Sequence, residues 1–243
     1  MTYNIKDLIG MTIGATDGEI GNIKDFYFED NTWRIRYLVI ETGDWLNGRM
    51  VLITTEALLT PELDDKILPV TLTKDQVRSS PDVDTQLPVY RQQEIILYDH
   101  YALGNYWRGG FVAGGMPLPM DEILFQENQD IDNRVRNDDV HLHSAVHVAS
   151  YSVESEDGAV GDVKDFLVNN EVWEIDYIVV DTGAWFPGKK VIISPKWIKQ
   201  IRWDRSVIIV KLTKASIKNS PEYNHQLPLN NAYARNLEAH YLG

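Results

Sequence analysis

Residues 17–54 read DGEIGNIKDFYFEDNTWRIRYLVIETGDWLNGRMVLIT, and residues 157–194 read DGAVGDVKDFLVNNEVWEIDYIVVDTGAWFPGKKVIIS. The two stretches align at a constant offset of 140 without a gap. Asp-Gly, Gly, Lys-Asp-Phe, Trp, Ile, Tyr, Val, Thr-Gly, Trp, Gly, Val and Ile recur in register. Self-similarity of this kind sets the architecture before any local reading does, because each copy must be one structural unit. The chain is therefore read as two related domains.

Each copy alternates with the period of a half-buried strand. Trp33, Ile35, Tyr37 and Val39 share one face in the first copy, and Trp173, Ile175, Tyr177 and Val179 in the second. Arg34 and Arg36, or Glu174 and Asp176, take the opposite face, which turns apolar further on at Leu38 and Ile178. That end of the strand is expected to be covered. Asp17-Gly18 and Asp157-Gly158 are hairpin-turn signals, since both residue types tolerate positive φ. Thr42-Gly43 and Thr182-Gly183 open a loop that carries Trp45-Leu46 in one copy and Trp185-Phe186 in the other.

Outward from this repeat, short strands are predicted at Leu8–Ile13, Ile20–Phe28, Met50–Thr54 and Ile67–Leu72. Their echoes are Val148–Val153, Val160–Val168, Lys190–Ser194 and Val207–Leu212. A broken alternation at Lys24-Asp25 and Lys164-Asp165 predicts a bulge. Closely spaced strands joined by turns point to a small antiparallel barrel in each repeat, so the fold class is mainly β with two tandem barrels. Thr73 and Thr213 are N-cap signals for one helical turn each. Ser80-Pro81-Asp82 and Ser220-Pro221-Glu222 read as a cap, a first-turn proline and an acid. A helical extension then ends in His100-Tyr101 or His240-Tyr241. Residues 1–104 and 142–243 are thus the two repeats with their tails. Residues 105–141 form an irregular linker whose aromatic residues argue for partial order.

The composition sets bounds. The chain has 243 residues, a hydrophobic fraction of 44% and no cysteine, which excludes disulfides and thiolate metal sites and fits a reducing, cytoplasmic setting. A net charge of −13 argues against a nucleic-acid surface and allows basic or cationic partners. The first residues lack a basic region followed by an apolar run, so no signal peptide is expected. No apolar stretch approaches the roughly 18 residues of a membrane span.

Asp-Gly-x-x-Gly-x-x-Lys-Asp, the following Ile-x-Tyr strand that ends in Thr-Gly, then Leu-Thr-Lys and Ser-Pro-(Asp/Glu) together resemble the PRC-barrel family. That family includes the cytoplasmic domain of the photosynthetic reaction-centre H subunit and the C-terminal domain of a ribosome-maturation factor. The resemblance covers roughly residues 5–80 and 145–220. It implies a small β-barrel used mainly to bind other proteins, and it supplies no catalytic residues. The extension ending in His-Tyr resembles bacterial members of unknown function.

Candidate chemistry is sparse. Asp17, Asp25, Asp157 and Asp165 could pair as carboxylates, but turn and bulge positions assign them structural roles. His141, His143 and His147 are the one metal-like group. His141 and His143 share a strand face, and imidazole suits zinc, copper or nickel, but no further ligand is fixed by spacing. No nucleotide loop or serine-nucleophile elbow occurs. No enzyme and no cofactor is expected.

Trp45, Leu46, Trp185 and Phe186 are the partner-binding candidates, since loops lie on the surface and aromatics are enriched in interface cores. A fold-back of these loops onto a barrel end is the competing reading. Arg34, Arg36, Glu174, Asp176, Leu38 and Ile178 are the inter-barrel candidates. A pseudo-two-fold axis between Ile35 and Ile175 would set Arg34 opposite Asp176 and Arg36 opposite Glu174. The function expected is a non-enzymatic protein-interaction module. A small-ligand or metal sensor, using the inter-barrel cleft or the His141 segment, is the alternative.

Overall fold

A computed structural model describes residues 1–80, 142–183 and 189–242, apart from 226, 228 and 230. The first repeat runs β1 (Thr2–Asn4), a helical turn α1 (Ile5–Leu8), β2 (Thr12–Ala15), β3 (Gly18–Glu29) and β4 (Ile35–Thr42). It ends with β5 (Met50–Thr54), β6 (Ile67–Pro69) and α2 (Lys74–Arg78). The second runs β7 (Leu142–Ser144), α3 (Ala145–Val148), β8 (Ser152–Ser155), β9 (Gly158–Asn169) and β10 (Glu174–Asp181). There follow β11 (Lys190–Ile193), β12 (Ile198–Arg202), β13 (Val207–Val210), α4 (Lys214–Asn219) and α5 (Asn231–Leu242).

The fold is mainly β, with one sheet built on each long strand. The first sheet has the order β5-β4-β3-β2-β6 and the second β11-β10-β9-β8-β13-β12, and neither path closes among the described residues. The sheets are mixed rather than wholly antiparallel. β6 lies parallel to β2, and β13 parallel to β8, because each strand crosses over to the far side of its sheet. The bulge expected at Lys24-Asp25 appears as a register shift between Ile23 and Asp25 against β4.

Three local readings are corrected. Leu8 to Ile13 is not a strand: Ile5 and Leu8 are buried from a single helical turn, Gly10 turns the chain at φ 83°, and β2 starts at Thr12. Their apolar spacing of three is helical, and the strand alternation begins only after them. Ser220 closes α4 as its C-cap and starts no helix, since residues 221–224 are irregular. β12 is continuous only in the second repeat. Its counterpart in the first is reduced to two isolated bridges, Leu58 to Val70 and Glu62 to Ile67. Pro61, which has no N–H to donate, lies between them at the position of Ile201.

The repeats do not fold side by side. β1 pairs with β9 of the second repeat, Tyr3 opposite Val168, whereas β7 pairs with β3 of the first, His143 opposite Phe28. Tyr3 and His143, like Phe28 and Val168, are equivalent positions, so the exchange is reciprocal. The seam is completed at Trp33 and Trp173, which adopt left-handed backbone at φ 58° and 50°. Their carbonyls accept the N–H of Ile175 (2.8 Å) and Ile35 (2.7 Å), and Arg34 and Glu174 face each other in an antiparallel bridge. A bulky residue at positive φ is strained, and here both strained residues sit at one crossing.

The core crosses the seam as well. Phe28 stacks on Trp33 and lies 6.0 Å from Phe166, and Phe26 stacks on Trp173 at 6.3 Å. Buried side chains of both repeats form one cluster. At the far end, α5 covers the second sheet: Leu237 is fully buried, and the Tyr241 ring lies 4.4 Å from Trp197. The equivalent tail ending at Tyr101 lies outside the described residues.

Candidate functional site

The aspartates of the repeated motif lie where backbone donors need acceptors. Asp25 Oδ1 accepts the N–H of Phe26 (2.7 Å) and of Val146 (3.0 Å), and its Oδ2 accepts the Ser144 hydroxyl. Asp165 Oδ1 accepts the N–H of Phe166 (2.8 Å) and of Lys6 (3.2 Å). Val146 and Lys6 belong to the first turns of α3 and α1, so each carboxylate caps a helix that came from the other repeat. Burial pushes both carboxyls above the ordinary 3.8, against the lowering effect of these hydrogen bonds. Asp17 and Asp157 each accept the first N–H of the helical turn 57 residues on, from Lys74 and Lys214, both at 2.8 Å. The Lys214 N–H and the Ser155 hydroxyl hold the exposed Asp157 below the usual range.

The other ends of those turns are held by cations, as the helix dipole favours. Arg49 donates to the carbonyls of Arg78 (3.2 Å) and Ser80, and Lys189 to those of Ser220 (2.7 Å) and Lys218. Arg49 and Lys189 close the loops that carry the tryptophans. Trp45 is half-buried, its indole N–H donates to the Ile20 carbonyl at 2.6 Å, and Lys74 Nζ lies 4.7 Å over its ring. Leu46 is also half-exposed. Trp185 and Phe186 lie outside the described residues.

The inter-barrel candidates divide. Arg34 meets Glu174, not Asp176, because the left-handed Trp33 and Trp173 shift the crossing by one position in each strand. Arg36 turns inward to Glu29 at 2.7 Å, a pair less than 10% exposed on each side chain. The second repeat has Asp176 and Asn169 at those positions and no such pair. Burial, with the nearby Glu174 charge, pushes the Asp176 carboxyl up. Leu38 and Ile178 are buried within their own sheets, opposite Phe26 and Phe166.

Of the histidines, His141 lies outside the described residues. The His143 ring is stacked flat on Trp203 at 3.5 Å, with its Nε2 3.4 Å from Asp30 Oδ2. His147 packs edge-on against Tyr151. Among the described residues no three metal-ligating side chains come together.

The sequence reading missed β12 and Trp203. Together with Asp30 and Trp33 of the first repeat they line a groove of about 360 Å³ along the seam. The legible signal was a difference between the copies: Trp203 stands where the first repeat has Leu63.

No helix of the described residues is long and apolar enough to cross a membrane. The chain is 34% identical over 85 residues to an uncharacterized protein of Deinococcus radiodurans. That match covers 35% of this chain and 30% of the relative, so the chain spans about a third of the relative's length. The PRC-barrel domain family model matches residues 1–77, which take in every strand of the first repeat and the start of α2. Residues 1–77, about a third of the chain, are thus similar to a PRC-barrel domain.

Proposed function

We propose that this chain is a non-enzymatic protein-interaction module in which residues 142–243 are a second, divergent PRC-barrel repeat. The supporting observation is where the motif's ionisable groups are spent. Asp25 and Asp165 cap helices across the seam, and Asp17 and Asp157 cap helices within their own repeats. Groups engaged in this way fix a shape, and these four carboxylates are spent on backbone donors instead of standing as acid or base over a cleft. What the fold offers is a two-repeat body with a shared core that carries loops and sheet edges on its surface. The half-exposed Trp45-Leu46 loop, with its Trp185-Phe186 counterpart, belongs to the proposed contact surface.

Crosslinking capture from native lysate tests this reading. A protein recovered with wild type and lost on surface substitution supports it. Capture of nothing, beside a large thermal shift with one small compound or metal, would overturn it in favour of a sensor. The groove along the seam is the observation that favours that second reading, because two tryptophans and a carboxylate line it.

A further inference from the structure

The second repeat departs from the first in one block. From Lys189 to Lys218 there are nine lysines and arginines against the single carboxylate of Asp204, a net +8, in a chain of net −13. The equivalent block, Arg49 to Arg78, has four basic and five acidic residues, a net −1. The basic block contains β12, whose counterpart in the first repeat is reduced to two isolated bridges around Pro61. β12 is the last strand of its sheet, and among the described residues it pairs with β13 alone. Lys199 and Gln200 on it are exposed, as are Arg205 and Lys211 beside it. The groove with Trp33 and Trp203 runs along the same strand.

An edge strand is a template for a further strand, and proteins that do not use it blunt it with proline or bury it. The first repeat carries Pro61 there, and the second has Ile201 in its place. Lysine on an edge also repels neighbours, so charge alone would be protective. Here the groove holds two aromatic rings and the Asp30 carboxylate. Lys199 lies 3.5 Å from Glu156 and Arg205 3.7 Å from Asp204. It is the block's excess of cations over these carboxylates that selects by sign what can approach. On the reading of this chain as an interaction module, we propose that β12 is the docking edge for an extended, acidic segment of a partner protein. The segment adds as a strand beside β12, its carboxylates toward Lys199 and Arg205 and its alternate apolar side chains toward Trp203.

The probe is a fluorescein-labelled octapeptide alternating Glu and Val, read by anisotropy against the full chain. Binding that weakens with salt, and falls ten-fold or more both in Lys199→Glu/Arg205→Glu and on alternate N-methylation of the peptide, is the expected result. Both substituted side chains are well exposed, and circular dichroism confirms the fold of the variant. Equal binding of the N-methylated peptide, or of a Lys/Val peptide, overturns strand addition. So does no binding at all. An oligodeoxythymidylate that binds more tightly and is lost in the variant makes the surface a nucleic-acid site instead. Binding that appears only after the seven carboxylates between residues 121 and 139 become amides makes the chain's own linker the occupant. A lysate partner crosslinked equally to wild type and variant leaves the module reading standing and removes this edge from it.

Discussion

Asp25 combines two opposing effects in one side chain. It satisfies two backbone donors, one of them across the seam, yet its burial disfavours the charge. Asp25→Ala leaves those donors without an acceptor and should lower unfolding free energy by about 1–3 kcal/mol in urea titrations. Asp25→Asn keeps an acceptor oxygen and should lose much less. The pH dependence separates the roles. A carboxyl whose folded pKa lies above 3.8 adds stability that is complete below 3.8 and is lost as pH rises through the folded value. Wild type should therefore gain on Asp25→Asn as pH falls toward 3.8, measured by paired denaturant midpoints. The buried Glu29–Arg36 pair makes a different case. Glu29→Ala removes the carboxylate that faces a buried guanidinium and should cost about 3–5 kcal/mol, whereas replacing both by apolar residues should cost far less. The sequence showed Asp25 and Asp165 at bulges but could not show what they accept. Their donors lie about 120 and 160 residues away in the chain, beyond any local pattern.

The second glycine of Asp-Gly-x-x-Gly is explained by close approach. A Cβ at Gly21 would stand 2.1 Å from the Glu41 carbonyl oxygen, and one at Gly161 1.9 Å from that of Asp181. Gly21→Ala must push β3 from β4, so a loss of about 3 kcal/mol or more is expected in thermal unfolding, at the upper end of overpacking costs. The tryptophan loop offers a further test. Trp45→Ala removes an indole–carbonyl bond and the surface under Lys74, and should destabilise by about 3 kcal/mol, the low end for a core aromatic because the ring is half-exposed. A neutral result would leave the loop with neither a structural nor, unless capture is lost, a binding role. The long strands β3, β4, β9 and β10, the bulges and the caps at Thr73 and Thr213 were legible because their signals are local periodicities and capping residues. The parallel placement of β6 and β13 was not, since a crossover is chosen by the sheet and leaves no mark in a strand's own alternation. β12 was masked by the repeat itself: reading the copies by their common residues hides where they differ.

At the scale of the whole molecule, exchanged strands and a shared core predict a single unfolding transition. Calorimetry should show one peak with matching calorimetric and van't Hoff enthalpies, where independent repeats would give two. Protease cleavage engineered within the linker, residues 105–141, should yield two fragments that elute together. The exchange also orders events in time. β3 ends at Glu29, but the strand that completes its open edge, β7, begins at Leu142. A ribosome adding about 5–20 residues per second needs roughly 6–23 s to bridge that interval. Throughout it the nascent first repeat carries both an uncovered edge and an unplaced N-terminal strand. Another chain emerging from the same messenger offers the same two pieces, so crowding on a polysome sets intramolecular closure against cross-chain pairing. Slow translation should raise the yield of linked dimers, and the residues between the repeats act as the tether whose reach decides which closure wins.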